Sequence, residues 1–136
     1  MRRSFIPATL AAFSLAALSL SATSSYAQDG DPEAGQRVFN QCRACHQVGE
    51  TARNAVGPHL NGLFGREAGS VEGYNYSRAF DGLDKVWDEE NFAVYIRNPR
   101  QVTPGTKMVF AGLRNDQQII DLTAYLAQFN EDGTID

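Results

Sequence analysis

The chain is short of the residues that carry most protein chemistry. Its 136 residues hold two cysteines, two histidines, two methionines and one tryptophan. Beyond the initiator the only methionine is Met108, and the only imidazoles are His46 and His59. Basic residues are outnumbered, 12 Lys and Arg against 16 Asp and Glu, which makes nucleic acid a poor partner. No strand-like run and no internal repeat is visible, so sheet folds and repeat arrays are set aside.

The first segment reads as an export signal rather than as part of the fold. Arg2 and Arg3 form a basic head, residues 5 to about 20 are mostly Ala, Leu and Phe, and Ser25-Tyr26-Ala27 presents small residues at a cleavage site. Pro7 and several serines interrupt the apolar run, which argues against a retained membrane anchor. We place cleavage after Ala27, through the general export pathway. Residues 28–136 then form one domain with one modest core. Loss of Arg2 and Arg3 leaves 10 basic and 16 acidic side chains, a net charge of about −6.

What is present is concentrated in Cys42-Arg43-Ala44-Cys45-His46. Two thiols separated by two residues and followed by an imidazole form the layout for covalent haem attachment. Each thiol can add across one vinyl group, and the neighbouring histidine is then held beneath the iron. A disulfide between residues three apart would restrain little of the unfolded chain. A thioredoxin-like pair expects a preceding strand, and none is visible. A zinc site from Cys42, Cys45, His46 and His59 fails on spacing, because adjacent Cys45 and His46 cannot easily both reach one tetrahedral ion. Met108 is the preferred second axial ligand, since histidine plus methionine is the pair of electron-carrying haems. It follows Pro104 and Gly105 in a stiff segment. His59 is the rival ligand, but it follows His46 closely in the chain and belongs on the same side or at the surface. The carbonyl of Pro58 is a candidate acceptor for the free ring nitrogen of His46.

The pattern predicts helices joined by long loops. Asp31-Pro32-Glu33 starts a helix running to about Arg43. Glycines recur through 47–83, a loop wrapped around something, with one helical turn near 77–81. Asp88 caps a second helix that ends at Asn98-Pro99. A last helix starts near Asn115 or Asp116, with Ile119, Leu122, Leu126 and Phe129 as its apolar stripe and Tyr125 widening it. Residues 130–136 are polar and read as a frayed end.

Taken together these residues resemble a class I cytochrome c of the mitochondrial type and its short bacterial periplasmic counterparts. The match covers essentially the whole chain after residue 27. It includes the Cys42–His46 motif, Gly57-Pro58-His59-Leu60, Gly62-Leu63-Phe64-Gly65-Arg66, Tyr74-Asn75-Tyr76-Ser77, Trp87, Asn98-Pro99, Pro104-Gly105-Thr106-Lys107-Met108, Phe110-Ala111-Gly112 and Ala124-Tyr125-Leu126. The resemblance implies an all-α class I cytochrome c fold, three main helices and long loops around one covalently bound haem c. It implies Cys42 and Cys45 as thioether anchors and His46 and Met108 as axial ligands, with the Pro58 carbonyl accepting from His46. It places Arg66, Tyr76 and Trp87 around a buried propionate, Tyr95 and Thr106 in the network beside Met108, and Phe110 beside the haem edge. Gly35 and Phe39 would pack against Tyr125 and Leu126.

Departures from the family pattern are visible. His59 stands where asparagine is usual, and Phe80 stands where a polar residue often supports the inner propionate. The spacing from Phe39 to Cys42 is one residue short of the mitochondrial form. The chain is acidic, yet Arg43, Arg100, Lys107 and Arg114 would cluster near the haem edge, while acids concentrate at 29–33, 81–90 and 131–136. A basic docking face on an acidic body is the expectation.

The resemblance implies a soluble, monomeric periplasmic one-electron carrier and no enzyme. Its donor would be a membrane quinol-oxidising complex, and its acceptor a terminal oxidase, a reductase or a photosynthetic reaction centre. Two alternatives stay open: a dedicated electron acceptor of one periplasmic dehydrogenase, or a haem peroxidase or gas-binding protein if Met108 is not a ligand.

Overall fold

Residues 29–135 are described in a computed structural model. The expected export signal and its expected cleavage site lie outside them. Four helices occur among them: α1 (Pro32–Phe39), α2 (Glu89–Arg97), α3 (Pro99–Val102) and α4 (Asp116–Ala127). Among the described residues there is no strand, only the isolated bridges Glu67↔Val86 and Phe129↔Ile135. No helix there is long and apolar enough to cross a membrane.

Each main helix starts where its cap dictates. Asp31 accepts from the Glu33 amide with Pro32 in the first turn. Asp88 and Asn91 form a reciprocal capping box at α2. Asn115 accepts from the Gln118 amide at α4. Such caps contribute roughly 1 kcal/mol each.

The α1 and α4 helices cross closely, and that crossing is the most extensive helix contact in the domain. Gly35 makes it possible: a Cβ there would collide with the Asp121 carbonyl oxygen and the Tyr125 side chain. Phe39, 1% exposed, packs against Tyr125 with the rings tilted by 47° and 5.4 Å apart, and Tyr125 meets Phe129 edge-on at 5.2 Å. The buried Asp121 carboxylate accepts the Asp31 amide at 3.0 Å and the Gln117 side chain at 2.9 Å. It ties the start of α1 to the middle of α4.

Three expectations change. Regular α1 stops at Phe39 rather than Arg43; residues 40–46 continue as tight turns, with the Cys42 amide bonded to the Phe39 carbonyl and the His46 amide to the Cys42 carbonyl. The turns re-aim the two thiols, which a straight helix would place on a fixed pitch. Past Asn98 the chain does not become loop: Pro99 at the first helical position and the Asn98 side chain, bonded to the Gln101 amide, start α3. The end is not frayed over 130–135, because the Asn130 amide bonds the Thr134 carbonyl and Ile135 bridges to Phe129. The expected turn near 77–81 is present as a 3₁₀ turn at Arg78–Phe80.

Replacing Gly35 by alanine should lower unfolding free energy by about 1–3 kcal/mol, the usual cost of overpacking. Chemical denaturation of the intact protein measures it; an unchanged midpoint would mean that α1 and α4 separate at little cost.

Candidate functional site

Segments distant in sequence enclose one apolar cavity of about 340 Å³. That lies in the range of cofactor sites, ~300–1,000 Å³. Its floor is core: Leu122 and Leu126, each 1% exposed, line it together with Leu63, Phe92 and Ile96. The lining is largely apolar and aromatic, which suits a large apolar occupant.

Cys42, Cys45 and His46 all line this cavity. Both cysteines are free thiols. Burial, then the neighbouring Cys45, pushes the Cys42 thiol up to about 11. A redox dithiol needs a depressed pKa, so a thioredoxin-type role is disfavoured. The His46 Nδ1 lies 2.7 Å from the Pro58 carbonyl oxygen. A carbonyl only accepts, so Nδ1 carries the proton and Nε2 is the basic nitrogen. Gly57 seats the ring: a Cβ there would collide with the imidazole. Burial lowers the His46 pKa, the Pro58 bond opposes that, and Arg66 lowers it further.

Met108 reaches the same cavity from the segment after α3. Its amide donates to Thr106 Oγ1 at 3.2 Å, and its Sδ accepts the Tyr95 hydroxyl at 3.2 Å. Burial raises the Tyr95 pKa, with a Thr106 hydrogen bond opposing, so the phenol stays protonated and donating. Trp87 packs edge-on against Tyr95 at 5.0 Å and lines the cavity with Tyr76, Arg66, Thr106 and Phe110. Every residue selected for the haem site thus lines this one cavity. His59 does not.

Arg66 is no ordinary surface charge. It donates to the Asn61 carbonyl at 2.7 Å and the His59 carbonyl at 3.3 Å while lining the cavity. Burial lowers its pKa, whereas Tyr76 and Glu131 raise it. Tyr76 itself is raised by burial. Sequence reasoning assigns Ser77 no role. Its hydroxyl is buried without a hydrogen-bond partner among the described residues, in the wall beside Tyr76. A serine directly after a site tyrosine on an extended segment is the available signal. Sequence reasoning also gives Tyr74 no function as a tie: it donates to the Val56 carbonyl at 2.7 Å and carries Lys107 Nζ 4.8 Å above its ring.

The residues fit a haem. The walls are apolar, the two thiols are free for thioether formation, and a soft thioether and an imidazole reach the same space. A buried hydroxyl and a partly committed guanidinium supply donors for a carboxylate. Among the described residues no group of three or more His, Cys, Asp or Glu could hold a bare metal ion.

Of the proposed docking cations, Arg100 and Arg114 are exposed. Arg43 is exposed and lies 5.7 Å over the Phe39 ring. Lys107 bonds the Asn75 carbonyl and covers Tyr74, so it braces the cavity mouth.

The cytochrome c family model matches residues 32–130. Cytochrome c-554 of Methylosinus trichosporium is 56% identical over 104 residues, covering 76% of this chain and 79% of the relative. Cytochrome c2 of Blastochloris viridis is 48% identical over 122 residues, covering 90% and 94%. Among solved structures, cytochrome cH from Methylobacterium extorquens aligns with a TM-score of 0.67 and 37% identity, covering 72% of this chain and 98% of that one. With a family model spanning the region that builds the cavity, and relatives matched over most of their length, the chain belongs to the cytochrome c family, among the class I bacterial members.

Proposed function

We propose that this chain is exported to the periplasm and shuttles single electrons there as a monohaem cytochrome. Cys42 and Cys45 would be the thioether anchors and His46 and Met108 the axial ligands. The observation that carries this reading is the convergence of two free thiols, a tautomer-locked imidazole and a phenol-bound thioether on one apolar cavity. The haem supplies a reversible one-electron couple when bound.

The chain's residues do the tuning. The Pro58 carbonyl holds the Nδ1 proton of His46, which leaves Nε2 as the donor atom and raises its basicity. The Tyr95 hydroxyl draws electron density from the Met108 sulfur, which weakens that donor and favours the reduced state. Arg66, Tyr76, Ser77 and Trp87 would receive a propionate, stabilising a buried carboxylate by charge and hydrogen bonds. Thr106 fixes the backbone of Met108, and Phe110 lines the cavity. With His46 and Met108 both holding the iron, no position would remain for bond-making chemistry on a substrate. A peroxidase or gas-binding role would need Met108 to be free.

Removal of residues 1–27 would release a soluble monomer. A membrane quinol-oxidising complex would reduce it, and a terminal oxidase, reductase or reaction centre would oxidise it. A role as acceptor for one periplasmic dehydrogenase differs only in partner breadth. Docking would use Arg43, Arg100 and Arg114, with Lys107 as a brace at the mouth.

Cys42→Ser with Cys45→Ser should give protein whose haem is lost on denaturation; mass spectrometry of wild type should show the mass of one haem added to the mature peptide. Met108→Ala should abolish the long-wavelength sulfur-to-iron absorption of the ferric protein, admit added imidazole and lower the potential. Each ~59 mV of that fall is about tenfold in a one-electron equilibrium. A wild type that binds imidazole as readily as the variant would remove Met108 as a ligand. Arg100→Gln with Arg114→Gln should slow reaction with the physiological partner and flatten its dependence on ionic strength. An unaltered salt profile in stopped-flow kinetics would dismiss the docking face.

A further inference from the structure

His59 has no part in the carrier described above, yet its placement is specific. Its Nδ1 is buried without a hydrogen-bond partner among the described residues. Its amide donates to Asn54 Oδ1 at 3.1 Å. Its carbonyl accepts Arg66 Nη2 at 3.3 Å, and Arg66 lines the haem cavity. The His59 backbone, the Arg66 guanidinium and the cavity are therefore consecutive neighbours, and the Arg66 charge is felt at the imidazole. His59 does not line the cavity that His46 and Met108 both line.

Burial, then the Arg66 charge, lowers the His59 pKa below the ordinary imidazole value. The ring is neutral at pH 7 and titrates on the acid side. The charged and titratable groups around this corner are Arg66 and, through it, Tyr76 and Glu131. Arg66 stays charged, and burial moves Tyr76 upward, away from this range.

We propose that His59 is a redox-linked proton site that makes the potential of this cytochrome depend on pH. On reduction, one electron enters from a redox-protein donor and a proton from bulk water binds the imidazole in part of the population. On oxidation both leave by the same routes. A positive charge placed beside Arg66 favours the state of the haem with one positive charge fewer. By reciprocity the reduced protein holds the His59 proton more tightly. The potential therefore falls as pH rises through the titration of His59. The inference rests on the haem reading and adds to it a control residue that makes no contact with the iron.

The test uses the intact holoprotein. The His59 ring proton is titrated by NMR in the ferrous and ferric forms, and the potential is measured against pH for wild type and His59→Asn. Proton binding in the ferrous form should be tighter by roughly twofold to tenfold, the scale of one unit charge acting across a side chain or two. The slope of potential against pH below neutrality should flatten in His59→Asn. Equal His59 titration in both oxidation states would overturn the proposal. So would a variant with the wild-type slope, which would assign the proton to a propionate. Either result leaves the haem reading intact, since the visible spectrum reports the cofactor independently. Haem-free protein would end both.

Discussion

One surface serves as both hydrophobic core and binding site. Leu122 and Leu126 of α4 belong to the core cluster and also line the cavity, and so do Phe92 and Ile96 of α2. So short a domain, with no strands among its described residues, cannot bury much apolar surface on its own. A haem would complete the interior, and the long segment between 47 and 83 would have it to wrap. Stability and cofactor retention are therefore one property here. A substitution on the inner face of α4 weakens the fold and the site together, because no second layer of core separates them.

The polar groups form a continuous arc around that apolar surface. Arg66 and Trp87 are joined by their backbones, the Trp87 amide to the Arg66 carbonyl at 2.9 Å, and the Glu67↔Val86 bridge holds the neighbouring pair. The Trp87 ring meets Tyr95, and Tyr95 bonds Met108. The cluster assigned to the propionate and the cluster assigned to the axial sulfur are thus one packed unit. Tyr74 and Lys107 close the arc by tying the 71–76 segment to the Met108 segment. Were His46 and Met108 both to hold the iron, so braced a pair would keep the metal's surroundings alike in its two oxidation states, which is what rapid electron exchange requires.

Much of this was legible in the chain. The Cys42–His46 motif is local, so its spacing points to haem attachment, and the matched segments along the rest of the chain make that reading specific. Helix starts at Asp31, Asp88 and Asn115 were legible because caps act within three residues. The α4 stripe was legible because its period is short. Tyr95 needed the resemblance, since nothing in its segment or in that of Met108 says that a phenol on one helix will meet a sulfur from a later loop. The misses have physical reasons. The end of α1 depends on turns that aim two thiols at a cofactor, which helix propensity does not describe. α3 was hidden because Asn98-Pro99 reads as a stop, although the same pair is a cap and a first helical residue. The ordered end at 130–135 comes from tertiary contact, which polar composition does not reveal. Ser77 is inconspicuous in sequence; only its burial without a partner distinguishes it.

The acidic balance also has a structural source. Asp31, Glu33, Asp88, Glu89, Glu90 and Asp116 sit at helix N-terminal ends, where caps and first-turn acids offset the helix dipole. The excess negative charge is thus largely a consequence of starting three main helices well in a short chain. Basic residues fall at the opposite ends: Arg37, Arg97 and Arg100 lie in last turns. Arg97 is held by Asp116 at 2.7 Å and Lys107 by the Asn75 carbonyl. Cations already engaged within the molecule reorient little toward a partner. A docking field on this protein therefore rests on fewer free charges than a count of lysine and arginine implies. Few charges give weak orientation and brief complexes, and brief complexes suit a carrier that must release each partner as soon as its electron has moved.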